Sequence, residues 1–474
     1  METLRLFTLS IVIILFHPIL AQSQGDTKLN QFLKFMQDGR YWDMSQVYNK
    51  SDSILPAVKL MNAAYSAIGY NRNDVAIKLL EKNIKANWKS YNGDTPYLSR
   101  LLVDLYIEEG RYEDAVTEYE WLKNTYAPLQ QQYFLNIEYN KNVRKYIEEE
   151  FNVLEKARKR PQMQVVCKGE SQPIKFITPH IIKTQLNINK TKMYFTWDTG
   201  VTVPLVLPHR YADQLGLDYR QDSIIADNGK FAVAYVDSII IGNYTFYHVP
   251  AYVMDGSSPI PALYKQHASN ERLREALMLY ETLNSPIIGL PIIKRLERIG
   301  IDWKQECIFF PKRQLPHPSI EGQLFMSHLS KPNLLTPLTL NSMPLMGFVD
   351  TGCDSYINLY QKIQQAYSDK FPIEYDKQDS NYSLTFEGVK DTVRIYLVSP
   401  SLRYSNQAFK AKDKIMISSK LQGNKTWDLQ LGYPFFKTLG EMMVLDFKEM
   451  KVKIWEKALN HSCTNAVRTP TNNR

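Results

Sequence analysis

The 474-residue chain is poor in the residues and patterns that carry most hydrolytic chemistry. Its eight histidines are scattered, and none forms the His-Glu-x-x-His pattern that sets two imidazoles on one helical face for zinc. No Gly-x-Ser-x-Gly turn exposes a serine nucleophile, and no glycine-rich loop is present to cradle phosphate. Charge of one sign is missing as well. The 57 Lys and Arg residues stand among 49 Asp and Glu residues, for a formal net charge of +8. That mild, interspersed excess gives no basic patch arguing for nucleic acid or a membrane surface.

Long apolar runs are absent after the first 21 residues, so no segment of the mature chain is expected to span a bilayer. The start itself, residues 1–23, reads as a secretory signal peptide. Arg5 gives a weak positive beginning, Leu6 to Phe16 an apolar core, and Ile19-Leu-Ala21 a small-residue cleavage site, with Ser23 an alternative. The expected location is therefore outside the cytoplasm, secreted or periplasmic. Only four cysteines occur, Cys167, Cys307, Cys353 and Cys463. They allow three disulfide pairings, or four thiols packed as small apolar groups.

What the chain does contain is a duplicated motif. Tyr194-Phe-Thr-Trp-Asp-Thr-Gly200 and Leu345-Met-Gly-Phe-Val-Asp-Thr-Gly352 are largely apolar runs, read as buried strands, that end in Asp-Thr-Gly. A carboxylate at the end of a buried strand is costly unless something holds it. One Asp-Thr-Gly alone carries little weight, because all three residues are common in turns. The flanks, however, repeat too. Leu186-Asn-Ile-Asn189 precedes Asp198 as Leu338-Thr-Leu-Asn341 precedes Asp350, both pairs 152 residues apart (338 against 186, 350 against 198). Gly289-Leu-Pro-Ile-Ile-Lys294 is echoed by Gly432-Tyr-Pro-Phe-Phe-Lys437, and Ile301-Asp-Trp-Lys304 by Leu445-Asp-Phe-Lys448. Four landmarks in the same order make an internal duplication.

On those residues, roughly 165 to 456 of the chain resembles a bilobal aspartic protease of the pepsin and retropepsin type. The resemblance implies two pseudo-symmetric, mainly β lobes, here 165–315 and 316–459, followed by a polar tail at 460–474. It also implies a catalytic pair, Asp198 and Asp350, with Thr199 and Thr351 bracing the two loops and Gly200 and Gly352 leaving room for close approach. Such enzymes use no metal, cofactor or covalent intermediate, and their substrate is a peptide or protein. Ile287-Ile-Gly289 and Gln430-Leu-Gly432 would form the later structural loops, the second a looser match because Gln430 is polar.

Two carboxylates within hydrogen-bonding distance cannot both ionise cheaply, so the pair would hold one proton and titrate as a unit. Glycosidases also use paired carboxylates, but without this repeated frame. A hairpin over Ser223 to Tyr235, turning at Asp227-Asn-Gly-Lys230, matches the flap that closes over substrate in the family, with Asn228, Gly229, Phe231 and Tyr235 as candidate flap residues. An aromatic in a strand is more commonly packing than contact. The chain departs from the family after each Asp-Thr-Gly, where Val201 and Cys353 stand in place of a hydroxyl residue. A lost hydrogen bond to the ionised pair leads us to expect a pH optimum nearer neutral than that of gastric pepsins.

Ahead of this region, 26–155 shows helical periodicity. Ala76, Leu79, Leu80 and Ile84 form one stripe, and Ala115, Tyr119 and Leu122 another. Helix-start signals recur at Gly39-Arg-Tyr-Trp-Asp43, Gly69-Tyr-Asn-Arg-Asn-Asp74 and Gly110-Arg-Tyr-Glu-Asp114. The region resembles tetratricopeptide-type repeats, which implies a groove for a protein partner; a bundle serving as spacer or pro-segment is the alternative. Residues 156–164, with Lys156-Ala-Arg-Lys-Arg160, read as a basic linker or the solvated end of the last helix. Two stretches, Asn270 to Leu283 and Ser399 to Thr426, read as inserts at the surface. The sequence thus points to an exported aspartic endopeptidase with a helical domain ahead of it. The rival is a non-catalytic peptide-binding protein using the same cleft.

Overall fold

The computed structural model describes residues 27–457 apart from 49–54, 92, 134–140, 142–143, 146, 150, 153, 156–157, 170–171, 178–180, 220–222, 227–228, 255–284, 314, 330–331, 386–387, 399, 406 and 419–425. The expected signal segment, the Asn270 to Leu283 insert and the polar tail lie outside the described residues. Among the described residues, no helix is long and apolar enough to cross a membrane. The chain divides into two compact units, Met1–Met163 with Phe325–Pro332, and Gln164–Leu324 with Asn333–Arg474.

The first unit is helical. Thr27–Gln37, Tyr41–Tyr48, Pro56–Gly69, Asn73–Asn87, Thr95–Glu108 and Tyr112–Trp121 are its main α-helices, and each packs on its chain neighbour. The apolar stripe read from the sequence faces inward: Ala76, Leu80, Ile84, Ala115, Tyr119 and Leu122 are all buried. Three of the helix ends share one turn. Gly39, Asn71 and Gly110 adopt positive φ of 68°, 54° and 73°. The next residue, an arginine each time, donates its N–H back to a carbonyl five residues earlier: Arg40 to Phe35 (2.8 Å), Arg72 to Ala67 (2.9 Å) and Arg111 to Tyr106 (2.7 Å). This closure satisfies the last carbonyls of the helix, and it needs a residue tolerant of the left-handed region. Arg40 and Arg111 then reach forward to Asp43 (2.6 Å) and Asp114 (2.7 Å) in the next helix. The recurring Gly-Arg-Tyr signal is therefore a helix stop and a helix start in one.

The second unit is built on β-strands, and its two halves repeat one topology. Lys183–Ile188 and Thr191–Asp198 form a hairpin, as do Asn333–Leu340 and Met343–Asp350. Both turn on two residues of positive φ, Asn189 and Lys190 (44° and 66°) and Asn341 and Ser342 (47° and 63°). That conformation matches the right-handed twist of the flanking strands. Each turn asparagine also accepts a distant N–H on its side chain, Asn189 from Ser238 (3.1 Å) and Asn341 from Ser401 (2.8 Å). The repeated Asn-ending landmark in the sequence is this turn.

The strand carrying each Asp runs parallel to a short later strand, Asp198 opposite Gly289 and Asp350 opposite Gly432. A side chain at Gly289 would strike the Val203 carbonyl, and one at Gly432 the Ser355 carbonyl. The proline two residues on, Pro291 or Pro434, sits in the first turn of the helix that follows, Leu290–Arg295 or Tyr433–Leu439. Proline is tolerated there because its missing N–H has no intrahelical partner to lose. The Gly-x-Pro echo is thus a strand end followed by a helix start.

One expectation needs correcting. The stretch from Ser399 to Thr426 is more than a surface insert. It supplies the strands Ser401–Tyr404, Gln407–Lys410 and Ile415–Ser418 to the ten-stranded sheet of the second half. Ile415–Ser418 runs parallel to Ile357–Tyr360, as Tyr244–Met254 runs parallel to Leu205–Pro208 in the first half. Arg403, Gln407, Lys410, Lys412 and Lys414 occupy exposed positions between inward-facing Leu402, Tyr404, Ile415 and Ile417. Alternation of this kind dilutes average hydrophobicity without abolishing a strand.

A six-stranded sheet takes strands from both halves, with Arg298–Asp302 antiparallel to Met442–Asp446. The Asp-aromatic-Lys landmarks end these two strands. Asp302 accepts the N–H of Gln305 (2.7 Å), and Asp446 those of Lys448 (3.1 Å) and Glu449 (3.0 Å). Asp446 is fully buried and also receives Arg298 (2.8 Å) and Lys453 (3.1 Å). Burial raises its carboxyl pKa, but the Glu449 N–H, Arg298 and Lys453 outweigh burial and hold it below the usual range. The resulting stability is present above the unfolded Asp pKa of about 3.9 and is lost as pH falls through the lower folded value. Asp446→Asn, which strands two cations, is expected to cost roughly 3 kcal/mol at neutral pH. The difference between variant and parent in urea denaturation should shrink below about pH 4.

Candidate active site

Each half presents its aspartate at the last position of a strand whose preceding residues are buried, Asp198 after Trp197 and Asp350 after Val349; Asp198 is half-buried and Asp350 buried. The loop that follows is folded by its own backbone. Gly200 donates its N–H to Asp198 Oδ1 (2.7 Å), and Gly352 donates to Asp350 Oδ1 (3.0 Å). Leu290 N–H closes onto the Val201 carbonyl (2.8 Å) and Tyr433 N–H onto that of Cys353 (3.1 Å), so the loop is pinned to the neighbouring helix start in both halves.

The two loops are tied to each other by four crossed hydrogen bonds. Thr199 Oγ1 donates to the Val349 carbonyl (2.7 Å), and Thr351 Oγ1 to the Trp197 carbonyl (3.0 Å). Each hydroxyl also accepts the other threonine's N–H, both at 3.0 Å. Both threonines are buried, so every one of these polar groups depends on its partner in the other loop. Glycine is required beside them. A side chain on Gly200 would come 2.8 Å from Asp350 Cγ, and one on Gly352 would collide with the carboxyl of Asp198.

The result is two carboxyl groups facing each other across Gly200, where a side chain would come within 3 Å of both. Burial, and then the charge of Asp350, push the Asp198 carboxyl well above the usual carboxylate range. Burial raises Asp350 as well, but hydrogen bonds from Asp198, from Gln430 and from the Gly352 and Cys353 N–H groups act against it. Such a pair holds one proton between its two members and can offer a base and an acid side by side at the same pH.

The six residues Asp198, Thr199, Gly200, Asp350, Thr351 and Gly352 are therefore brought together. Of the flap candidates, Asn228 lies outside the described residues. Gly229 and Phe231 are in the strand Gly229–Ile241, which forms a hairpin with Ser223–Ala226, and Tyr235 lies further along it opposite Pro250. Tyr235 is half-buried. Cys353 is a free thiol held protonated by burial, Cys167 is free and exposed, and Cys307 is disulfide-bonded.

Two site residues escaped the sequence reading. Gln430 donates Nε2–H to Asp350 Oδ2 (2.5 Å), and Asn358 donates Nδ2–H to Gln430 Oε1 (3.0 Å). The signal was present as polarity out of place, a Gln in Leu429-Gln-Leu-Gly432 and an Asn in Ile357-Asn-Leu-Tyr360, both otherwise apolar runs. Among the described residues, no group of three or more His, Cys, Asp or Glu side chains is placed to hold a metal.

Thr199→Val or Thr351→Val removes a hydroxyl that both donates and accepts, leaving a buried N–H and a buried carbonyl unpaired across the pseudo-twofold. Each variant is expected to lose about 2–4 kcal/mol, two groups at about 1–2 kcal/mol each, in urea denaturation followed by tryptophan fluorescence. The double variant should lose less than the sum of the two, because the four bonds form one network.

A family model described as "Aspartyl protease" matches residues 184–264, a span that contains Asp198 and stops short of Asp350. The match supports an aspartic protease. A solved structure described as a retropepsin-like aspartic protease from Rickettsia conorii is similar over 31% of this chain and 92% of its own, at 21% identity and a TM-score of 0.21, too low to carry an inference about the fold. No curated protein matches the chain.

Proposed function

We propose that the chain is an exported aspartic endopeptidase whose two lobes bring Asp198 and Asp350 onto one water molecule. The single observation that carries this reading is the close approach of two carboxyl groups, each delivered by the same strand, loop and glycine in the two halves of a duplicated unit. Structural stability gives no reason to force two like acids together, since each raises the cost of ionising the other. Catalysis does give one.

In this mechanism the ionised carboxylate takes a proton from water as the oxygen attacks the peptide carbonyl carbon. The protonated carboxyl gives its proton to the carbonyl oxygen, and a neutral tetrahedral diol results. The first carboxyl, now protonated, passes its proton to the departing amine nitrogen. The second recovers a proton from a diol hydroxyl as the carbonyl re-forms, which restores the starting state. Hydrogen bonds from Gly200 and Gly352 hold both carboxyls in place throughout. The hairpin of Ser223–Ala226 and Gly229–Ile241 serves as the flap. The helical unit, with its repeated turn, is a tetratricopeptide-like binding module for a protein partner. The apolar residues at the start of the chain direct it out of the cytoplasm, and neither nucleic acid nor a membrane is a target.

Asp198→Asn and Asp350→Asn should each lower kcat on a mixed-peptide library by at least about 1,000-fold, the loss expected when a general acid or base is removed from a unit acting in concert, with circular dichroism unchanged. Cleavage unchanged in both variants would take the dyad out of the chemistry, and no cleavage by the parent would leave a peptide-binding protein. The raised Asp198 carboxyl sets the pH dependence. Activity requires its proton and is lost only as pH climbs through its elevated pKa. The profile should therefore extend well above the ordinary carboxylate range, and a peak confined to strong acid would contradict it.

A further inference from the structure

The two halves of the dyad frame share the same backbone and threonine hydrogen bonds and differ in one pair of facing sheet residues. In the first half, Val206 and Ile287 lie directly opposite each other across the antiparallel pair beneath Asp198. In the second half the same two positions, opposite each other in the same register, are Asn358 and Gln430. An apolar pair in one half is a hydrogen-bonded amide pair in the other, and the amide pair reaches the dyad. Asp350 Oδ2 accepts from Gln430 at 2.5 Å, whereas no side chain of the first half donates to Asp198 in that way among the described bonds. The missing hydroxyl after each Asp-Thr-Gly, at Val201 and Cys353, is thus replaced on one side only.

Building on the proposed hydrolytic reading, we infer that Gln430, oriented by Asn358, is a positioning residue that fixes the polarity of the resting dyad, with the charge on Asp350 and the proton on Asp198. Gln430 can present its NH2 to Asp350 because its carbonyl oxygen is held by Asn358 Nδ2, which also approaches Cys353 Sγ (3.7 Å). A donor on the outer oxygen of a carboxylate stabilises the ionised form and not the acid. With Gln430 and two backbone N–H groups on Asp350, the negative charge settles there, and Asp198 keeps the proton through which the two acids touch. The base toward water is then Asp350 and the acid toward the carbonyl is Asp198. The mirrored arrangement would turn both amides over, so that Gln430 offers its oxygen to a protonated Asp350.

The other ionisable groups around Asp350 do not compete for this role. Cys353 and Tyr360 are held in their neutral forms by burial, and Tyr433 is pushed the same way. Asp428, just before the Gln430 strand, has an oxygen engaged by the Met346 N–H (2.8 Å). Asp354 lies beyond Cys353, where its charge raises the thiol.

The test is the pH dependence of kcat/KM on a fluorogenic peptide for the full chain and for Gln430→Met, which keeps volume and removes the donor. Loss of the donor raises the first ionisation of the dyad. The acid limb should therefore move upward by about one pH unit, a tenfold loss at a fixed pH on that limb, with KM unchanged and the alkaline limb nearly still. Asn358→Leu, which leaves Gln430 unanchored, should give a smaller shift in the same direction. A uniform loss at every pH, with the acid limb in place, would reduce Gln430 to a packing residue and overturn the inference. A readout on the unaltered protein guards against variants that fold poorly. In carboxyl 13C NMR, assigned with Asp198→Asn and Asp350→Asn, Asp350 should ionise at lower pH than Asp198, and the reverse order would establish the mirrored arrangement instead. A parent that cleaves no peptide would defeat the hydrolytic reading alone, since the NMR order still decides where the charge resides.

Discussion

The constraint on which the second unit depends is the cost of holding two acids side by side, where they cannot both ionise cheaply. Left alone, such a pair would separate or both members would protonate. Here neither can move. The four crossed threonine bonds lock one loop to the other, backbone N–H groups fix the inner oxygens, and two glycines remove the side chains that would otherwise intervene. Each of these contacts is worth only about 1 kcal/mol. Their effect comes from being buried and mutually dependent, so that no partial rearrangement satisfies them. The strain of the acid pair is held by the network around it, and the proton it shares is the chemical product of that strain.

The duplicated frame explains why the network is crossed. A loop that must brace its own copy has to donate and accept with the same groups, and a threonine hydroxyl beside its own backbone N–H can do both. Symmetry of this kind cannot by itself decide which acid holds the proton. That choice needs a departure from symmetry, and the structure has one at Asn358 and Gln430. The same sheet positions filled with Val206 and Ile287 in the other half show what the unperturbed frame looks like.

Much of this frame was legible in the chain because its parts are local. The Asp-Thr-Gly loops, the Asn turns, the Gly-x-Pro strand ends and the Asp-capped turns each need particular residues within a few positions, for reasons of φ angle, missing N–H or side-chain reach. A duplication therefore preserves them as recognisable words. The helical turns at Gly39, Asn71 and Gly110 belong to the same class. Less legible were features set by partners far along the chain. The strands between Ser401 and Ser418 read as a polar insert, because strands with one face exposed alternate and their average looks hydrophilic. The flap tip, at Asn228, remains a sequence assignment.

By itself the sequence determined that two acids sit at the ends of two like strands, each in a turn that glycine and threonine make favourable, since these are matters of local geometry written residue by residue. Only the tertiary structure decided that the two acids meet and that they are unequal. Both depend on contacts across separations of about 70 to 150 residues, Thr199 with Val349, Asp350 with Gln430, where chain spacing says nothing about distance. A polar residue in an apolar strand announces that a partner exists, but folding alone brings that partner within 3 Å.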